Sequence, residues 1–252
     1  MKKLLIASSI AACLAAPVQA DTILGLYIGG QVWDSAASGV FGEIDNQTDF
    51  NLKDETQTGF HVALEHPVPL IPNIKIASTS LDTTGQTTLN LDFSFNGEDF
   101  TSGDSVDATF DVSYVDYTLY YEILDNDLIT LDIGLTARDI DGDISVASTG
   151  GVNALTATES VSAVIPMLYA SAIVGLPLTG LNVFAEGNVI SYDDHTIYDY
   201  QAGISYDVLD NMAVDLNIAI GYRAVGLELE DLDDVYADLD FKGVFIASTI
   251  HF

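Results

Sequence analysis

Long runs in which apolar and polar residues strictly alternate limit most strongly how this chain can fold. Residues 128–138 read LITLDIGLTAR, and every second side chain from Ile129 onward is apolar, while the others are polar or glycine. The same pattern returns at residues 198–208 and 212–223. A period of two puts the two kinds of side chain on opposite faces of a β-strand. We therefore predict an all-β protein whose strands have one apolar and one polar face.

The length of these runs indicates what the apolar face contacts. A strand in a globular sheet has about five or six residues, whereas a tilted strand that crosses a membrane needs about nine to eleven. The apolar faces carry no charge, but the polar faces carry Asp and Arg, which the core of a β-sandwich would not hold unpaired. The pattern favours a transmembrane antiparallel up-and-down β-barrel, with lipid outside and polar side chains in the lumen. A soluble periplasmic β-sandwich is the weaker alternative.

Turn signals divide the chain into about ten strands, although eight or twelve would also fit. Tight turns alternate with longer acidic segments, which is the arrangement of outer-membrane barrels. Within the long segment 84–105, LNLDFSF could add a hairpin above the membrane. The predicted strands are 22–33, 56–66, 73–83, 106–123, 128–145, 159–176, 180–191, 196–208, 211–226 and 237–252.

One segment, AVIPMLYASAIVGLPL at residues 163–178, is apolar enough to suggest a transmembrane helix instead. It is shorter than the roughly 20 residues that a spanning helix needs, and Pro166, Gly175 and Pro177 interrupt it. We therefore expect a strand with Pro166 near its outer end, where a missing ladder hydrogen bond costs least.

The first twenty residues, MKKLLIASSIAACLAAPVQA, have the lysines, apolar stretch and small-residue cleavage site of a secretory signal peptide. We expect residues 1–20 to be removed and residues 21–252 to form the barrel. A lipoprotein box with an acylated Cys13 agrees less well with the run APVQA before Asp21. Because Cys13 is the only cysteine, the mature chain would have no disulfide framework and no thiol nucleophile.

Charge and composition exclude two other classes, the nucleic-acid-binding proteins and the acidic disordered proteins. The chain has 38 acidic and seven basic residues, a formal net charge of −31, and would therefore repel nucleic acid rather than bind it. Acidic disordered proteins have few aromatic residues, whereas this chain has 12 Tyr and 11 Phe. Its acidic and apolar residues must therefore lie on different faces of one fold.

The C-terminal segment, GVFIASTIHF, places apolar residues at alternate positions and ends on an aromatic residue. Such an ending resembles the signal by which Gram-negative outer-membrane barrels are delivered to the barrel assembly machinery. We therefore expect Val244, Ile246, Ile250 and Phe252 to face lipid and to form this signal.

The whole mature length resembles a family of small outer-membrane β-barrel proteins of Gram-negative bacteria with no established function. The resemblance lies in GLYIGGQVW (25–33), in residues 165–208 and in the last strand. These stretches are patterns of strands and turns without a catalytic motif. The resemblance therefore implies a fold and an outer-membrane location, and it leaves the activity open.

Charged residues on the predicted inward faces form a candidate lumenal network. Arg138 and Arg223 are the only arginines, and buried charges must be paired and hydrogen-bonded. We expect the arginines to plug the lumen by bridging acids; a gate or a solute site is the alternative. The other predicted members are Lys75, Glu65, Asp116, Glu122, Asp132, Glu186 and Asp215.

Two further motifs point only weakly to chemistry. Asp139, Asp141 and Asp143 resemble the start of a calcium loop but lack the spacing and closing Glu of an EF-hand. We therefore expect an acidic outer rim without a specific metal site, and weak binding of Ca²⁺ or Mg²⁺ is the alternative. The run Asp193-Asp194-His195 resembles the mouth of omptin-like surface proteases, but Asp and His are common turn residues. We predict no enzyme activity and no cofactor.

The sequence thus predicts an outer-membrane barrel of structural or interaction type, with a largely filled lumen and acidic extracellular loops. A narrow pore or small-ligand carrier is the alternative, and an omptin-like protease is less favoured. The expected partners are outer-membrane lipid, lipopolysaccharide and the barrel assembly machinery. We expect a monomer that binds no nucleic acid.

Overall fold

The structure is a computed structural model that describes residues 24–252 except 44–45, 127, 151–153, 194, 210, 212–213 and 233–234. The predicted signal peptide, Cys13 and Asp194 lie outside the described residues. The described part of the chain consists of strands and their connections, and it includes no helix long and apolar enough to cross a membrane.

Fifteen strands are formed by the described residues. They are β1 (Gly25–Glu43), β2 (Asn46–Asp49), β3 (Glu55–Glu65), β4 (Asn73–Thr79), β5 (Asp82–Thr88), β6 (Phe93–Phe95), β7 (Glu98–Phe100), β8 (Ser105–Asp111), β9 (Tyr114–Asp125), β10 (Ile129–Ser148), β11 (Thr156–Leu176), β12 (Leu181–Tyr192), β13 (His195–Leu209), β14 (Asp215–Leu232) and β15 (Val235–His251).

Ten of these strands close into an antiparallel barrel. The order around the wall is β1, β3, β4 and then β9 to β15, and β15 pairs with β1 to close the ring. Short turns and both ends of the described chain lie at one end of the barrel, which we call the lower end. Long strand extensions and strands β2 and β5 to β8 lie at the other, upper end. The predicted all-β barrel of ten antiparallel strands is confirmed.

The outer wall of the barrel is apolar, as the alternation predicted. Ile133 and Leu135 of β10 are 57% and 63% exposed, and Ile220 of β14 and Ile246 of β15 are similarly exposed. Their sequence neighbours Asp132, Thr136 and Arg138 are buried. The pairing register keeps this division continuous between strands, because a shift of one residue would exchange the two faces.

Several predicted strand boundaries are wrong. The predicted strand 73–83 is divided between β4, which ends at Thr79, and β5, which begins at Asp82, and the strand predicted to end at residue 226 continues to Leu232. Residues 106–123 do not form one strand: the chain is interrupted at Val112 and Ser113, so that β8 pairs with β5 and the upper part of β10, while β9 continues in the wall beside β4. The first strand was predicted to end at residue 33, but it continues to Glu43 along β15. The hairpin suggested within 84–105 is present as β6 and β7.

Pro166 lies inside β11, and its predicted place near the outer end of the strand is also wrong. The strand pairs with β10 along nearly its whole length, but its ladder with β12 stops at Leu168 and Val189. Proline has no amide hydrogen to donate. The absence of that donor accounts for a ladder that ends two residues from Pro166.

The upper part of the barrel is filled by an apolar cluster, which we call the upper core. Side chains from the wall strands β1, β10 and β15 meet side chains from the segment between β2 and β9. Rings pack edge to face, with 5.7 Å between the centroids of Phe41 and Phe110, a favoured aromatic geometry. Its larger members are Trp33, Phe41, Phe50, Phe93, Phe100, Phe110, Val146, Leu239 and Phe241.

Candidate functional site: the barrel lumen

Directly bordering the upper core, Arg138 of β10 makes contacts that span the lumen. Its Nε and Nη2 donate to the two carboxylate oxygens of Asp116, each at 2.8 Å. Asp116 is its direct cross-strand neighbour on β9. Nη2 also donates to Oδ2 of Asp199 at 2.8 Å, and Asp199 lies on β13, which is not adjacent to β10. The guanidinium group lies 3.6 Å from the ring centre of Tyr114.

Arg223 of β14 reaches the same carboxylate from the other side. Its Nε and Nη2 donate to Oδ1 and Oδ2 of Asp199 at 3.0 and 2.8 Å. Nη2 also donates to Thr79 and to the hydroxyl of Tyr114, and that hydroxyl donates to Asp199 at 2.7 Å. Asp199 therefore accepts hydrogen bonds from both arginines and a tyrosine. We call Arg138, Arg223, Asp116, Asp199 and Tyr114 the arginine cluster.

The arginine cluster is buried and electrically balanced. The four charged residues are between 1% and 8% exposed, and two guanidinium groups face two carboxylates. Paired, two-point hydrogen bonding is the strongest arrangement for these groups. Removing one partner from such a pair costs about 3–5 kcal/mol, because it leaves an uncompensated buried charge. The cluster therefore ties β9, β10, β13 and β14 to one another inside the lumen.

A second ion pair crosses the lumen nearer the lower end. Nζ of Lys75 on β4 lies 2.7 Å from both carboxylate oxygens of Glu186 on β12. The hydroxyl of Tyr169 donates to Oε2 of the same carboxylate at 3.2 Å. Lys75 and Glu186 thus face one another across the barrel, and they mark where the filled lumen gives way to a cavity.

This cavity, which we call the lower chamber, has a volume of about 600 Å³. It is lined at the lower rim by residues at strand ends, among them Tyr27, Glu65 and His251, and deeper by Tyr120 and Phe245. The described residues of its wall include seven carboxyl groups and one lysine, Lys75. The carboxyl groups are those of Glu65, Glu122, Asp125, Asp132, Glu186, Asp207 and Asp215. The lumen is therefore filled unevenly: apolar above, charged and hollow below.

Some acids of the chamber have identified contacts. Oε1 of Glu65 accepts a hydrogen bond from the hydroxyl of Tyr120 at 2.8 Å, and Oδ2 of Asp215 lies 3.2 Å from Nδ1 of His251. The His251 ring stacks on Tyr27 with 4.1 Å between ring centres. Asp132 differs: it is only 8% exposed, and its Oδ1 has no hydrogen-bond partner in the described part of the chain.

The predicted lumenal residues fall into three groups. Arg138, Arg223 and Asp116 meet in the arginine cluster, and Lys75 pairs with Glu186. The remaining four predicted acids line the lower chamber instead. They are Glu65, Glu122, Asp132 and Asp215.

Sequence reasoning left Asp199 and Tyr114 out of the network, although they complete the arginine cluster. The alternation in residues 198–208 does put Asp199 on the polar face, so the face could be deduced from the sequence. Tyr114 has the same parity as Asp116, which also predicts an inward side chain. What the alternation does not supply is height along the barrel, because that depends on the register between distant strands.

The other sequence candidates lie outside the lumen. Val244, Ile246, Ile250 and Phe252 are 53%, 60%, 37% and 53% exposed on the outer wall. Phe252 lies at the lower end, whereas Val244 directly follows Gly243, the cross-strand partner of Arg223. Asp139, Asp141 and Asp143 occupy alternate positions on the outer side of upper β10, where Asp143 accepts a hydrogen bond from Ser160. Among the described residues, no group of three or more His, Cys, Asp or Glu could hold a metal ion.

The fold defines the class of the protein as a closed, ten-stranded antiparallel β-barrel. No protein-family model matches the sequence, and no curated protein matches it, so the resemblance to a family of small outer-membrane barrels stays a prediction.

Distantly similar solved structures are themselves β-barrel proteins of Gram-negative bacteria. The transport unit of the autotransporter AIDA-I from Escherichia coli is 10% identical, with a TM-score of 0.40, and the match covers 98% of this chain and 96% of that one. A Pseudomonas aeruginosa FadL homologue is 9% identical, covering 92% and 90%, with a TM-score of 0.32. The Pseudomonas putida toluene transporter TodX is 8% identical, covering 96% and 93%, with a TM-score of 0.29.

Proposed function

We propose that the protein is an integral outer-membrane β-barrel of structural or interaction type whose lumen is sealed. The outward apolar wall on consecutive long strands supports a position in lipid, since side chains such as Leu135 and Ile246 would otherwise be exposed to water. The predicted signal peptide agrees with export. Outer-membrane lipid, lipopolysaccharide and the assembly machinery are its partners in this proposal, the barrel is monomeric, and it has no enzyme activity.

The arginine cluster beneath the upper core is the observation that supports sealing. Charged side chains bridge strands on opposite sides of the lumen, and Arg138 is 1% exposed. Above them, buried phenylalanine rings replace the water that a pore would contain. A solute would have to displace both layers, so the sealed barrel is favoured over an open channel.

Planar-bilayer recording tests the seal. The wild-type barrel is expected to show no wide, steady conductance, and at most small flickering currents that prefer cations. Replacing both arginines, Arg138→Ala with Arg223→Ala, is expected to raise cation leakage, because the layer loses its bridges and its acids are left without partners. The matched control is Lys53→Ala with Lys242→Ala, which removes two positive charges from outside the lumen. A large, steady wild-type conductance would contradict the sealed barrel.

Membrane integration is tested separately from conductance. The folded protein is expected to resist extraction by alkaline carbonate and to migrate differently in SDS gels before and after boiling. Deleting Phe252, or the change Ile250→Asp, is expected to lower the amount of assembled barrel. The first change removes the proposed assembly signal, and the second directs a carboxylate toward lipid. Ile250→Val is the control that keeps the apolar surface; wild-type assembly of both test variants would refute the role given to the last strand.

A further inference from the structure

We propose that the lower chamber is a binding site for a small organic polycation, of the linear alkyl polyamine class. The chamber lies below the arginine cluster, and a binding site there would give the barrel more than a structural role. Its access from one side only rests on the sealed lumen proposed above. Its volume of about 600 Å³ falls in the range of small-molecule sites, roughly 300–1,000 Å³.

The excess of carboxyl groups in the chamber favours a positively charged ligand. Seven carboxyl groups and one lysine line it, and that lysine, Lys75, is already paired with Glu186 at 2.7 Å. Among the described lining residues, six carboxyl groups therefore remain, and the other basic side chains there are histidines 61 and 251. Carboxylates gathered around a low-dielectric cavity concentrate cations and repel anions.

A buried acceptor without a partner gives an independent reason to expect a ligand there. Asp132 is 8% exposed, lines the chamber, and its Oδ1 accepts no hydrogen bond from the described residues. The amide oxygen of Gln201, also in the lining, is likewise unpaired. A buried acceptor left unsatisfied costs about 1–3 kcal/mol. An ammonium group, which has three donors and no acceptor, supplies what Asp132 lacks.

The lining of the chamber favours an organic ligand over a metal ion. The carboxyl groups come from separate strands, and the described residues bring no three potential metal-ligating side chains together. Between them stand aromatic rings, including Tyr120, Tyr169 and Phe245. Aromatic faces attract alkylammonium groups and contact methylene chains. A molecule with several ammonium groups joined by methylenes therefore matches a lining that contains both carboxylates and aromatic rings.

Access is from the lower rim. The cavity reaches residues at the strand ends, and His251 and Asp215 there have side chains 29% and 39% exposed. At the other end, the lumen holds the arginine cluster and the buried side chains of the upper core. The ligand would thus enter and leave by the same opening, which would face the periplasm in an outer-membrane barrel.

Isothermal titration of the refolded barrel in detergent with spermidine, at low ionic strength, tests the proposal. We expect saturable binding that weakens with added salt, with putrescine weaker and glutamate not bound. Asp132→Asn, which keeps the shape and removes the charge, is expected to weaken binding about tenfold, the effect of losing one charged hydrogen bond. Asp141→Asn is the matched control, because it makes the same change on the outer side of the same strand.

Each result bears on the chamber separately from the seal. If Asp132→Asn fails to fold, as judged by the gel-migration assay, Glu122→Gln takes its place. Absence of spermidine binding, an equal loss in Asp141→Asn, or displacement of spermidine by equimolar Mg²⁺ would overturn the polycation site. A conducting wild-type barrel that still binds spermidine through Asp132 would contradict the seal and leave the site standing.

Discussion

The two halves of the lumen accommodate inward-facing charged side chains in opposite ways. In the upper half, charge is confined to one layer, and each arginine there has carboxylate partners beneath an apolar core. In the lower half, carboxyl groups outnumber the single lysine seven to one around a cavity. The difference indicates that exclusion of water decides which charges need partners. Unpaired carboxylates are tolerated only where solvent or a ligand can reach them.

The largest effect on stability is expected from Asp199→Asn, which removes the carboxylate that both arginines share in the upper half. The change leaves Arg138 and Arg223 with one carboxylate between them, and we expect a loss of about 3–5 kcal/mol in the free energy of unfolding. Urea titration of the detergent-refolded barrel measures it, with the fluorescence of Trp33, the only tryptophan, as the signal. The control Asp141→Asn removes an exposed carboxylate and should leave the free energy of unfolding almost unchanged. Equal destabilisation by the two variants would mean that the contacts of Asp199 with the arginines do not stabilise the fold.

A somewhat smaller effect, about 3 kcal/mol, is expected from Phe110→Ala in the upper core. Phe110 is fully buried, and truncating it leaves a cavity among rings that cannot close in completely. The matched change Phe60→Ala truncates a ring that is 68% exposed on the outer wall. The same urea titration should separate the two variants. If Phe60→Ala were the more destabilising, the upper core would not be a packed interior.

The smallest effect is expected from Glu122→Gln in the lower chamber. Glu122 shares the chamber with Glu65, Asp125 and Asp132, so neutralising it relieves repulsion between like charges. We expect a stability unchanged within about 0.5 kcal/mol or slightly raised, measured in the same way as for Asp199→Asn. A loss comparable with that of Asp199→Asn would show that the chamber acids are structural partners, and the contrast between the halves would fail.

Alternation along single strands, together with the turn signals between them, was enough to predict a barrel of about ten strands and the direction of its side chains. The inward position of Arg138, and the outward position of Leu135, follow from a period of two within one run, because each strand has only two faces. Breaks in a strand were harder to predict. Within residues 106–123 the apolar residues change from even positions, up to Tyr114, to odd positions from Val115 onward. This change indicates that the run is not one uniform strand, but it does not show that β8 pairs with β5.

The composition of the arginine cluster could not be deduced in the same way. Asp199 meets Arg138 across the lumen, and the two residues belong to strands separated by β11 and β12. Their heights match only after the registers of β10 with β11, of β11 with β12 and of β12 with β13 are all set. Sequence parity predicts which side chains enter the lumen, whereas their partners depend on the sum of several registers.

The pairing of β1 with β15 has a consequence for how the barrel forms. Leu26 and Phe252 exchange both backbone hydrogen bonds, at 3.2 and 3.0 Å, so the ring closes between segments that lie almost the whole described chain apart. Every other pairing in the wall joins strands that are much closer in sequence. Closure therefore carries the largest loop entropy of the fold, and contacts of such long sequence separation form slowly. Until β1 pairs with β15, the sheet has two open edges that can pair with other chains, so we expect this pairing to limit the rate at which the barrel closes.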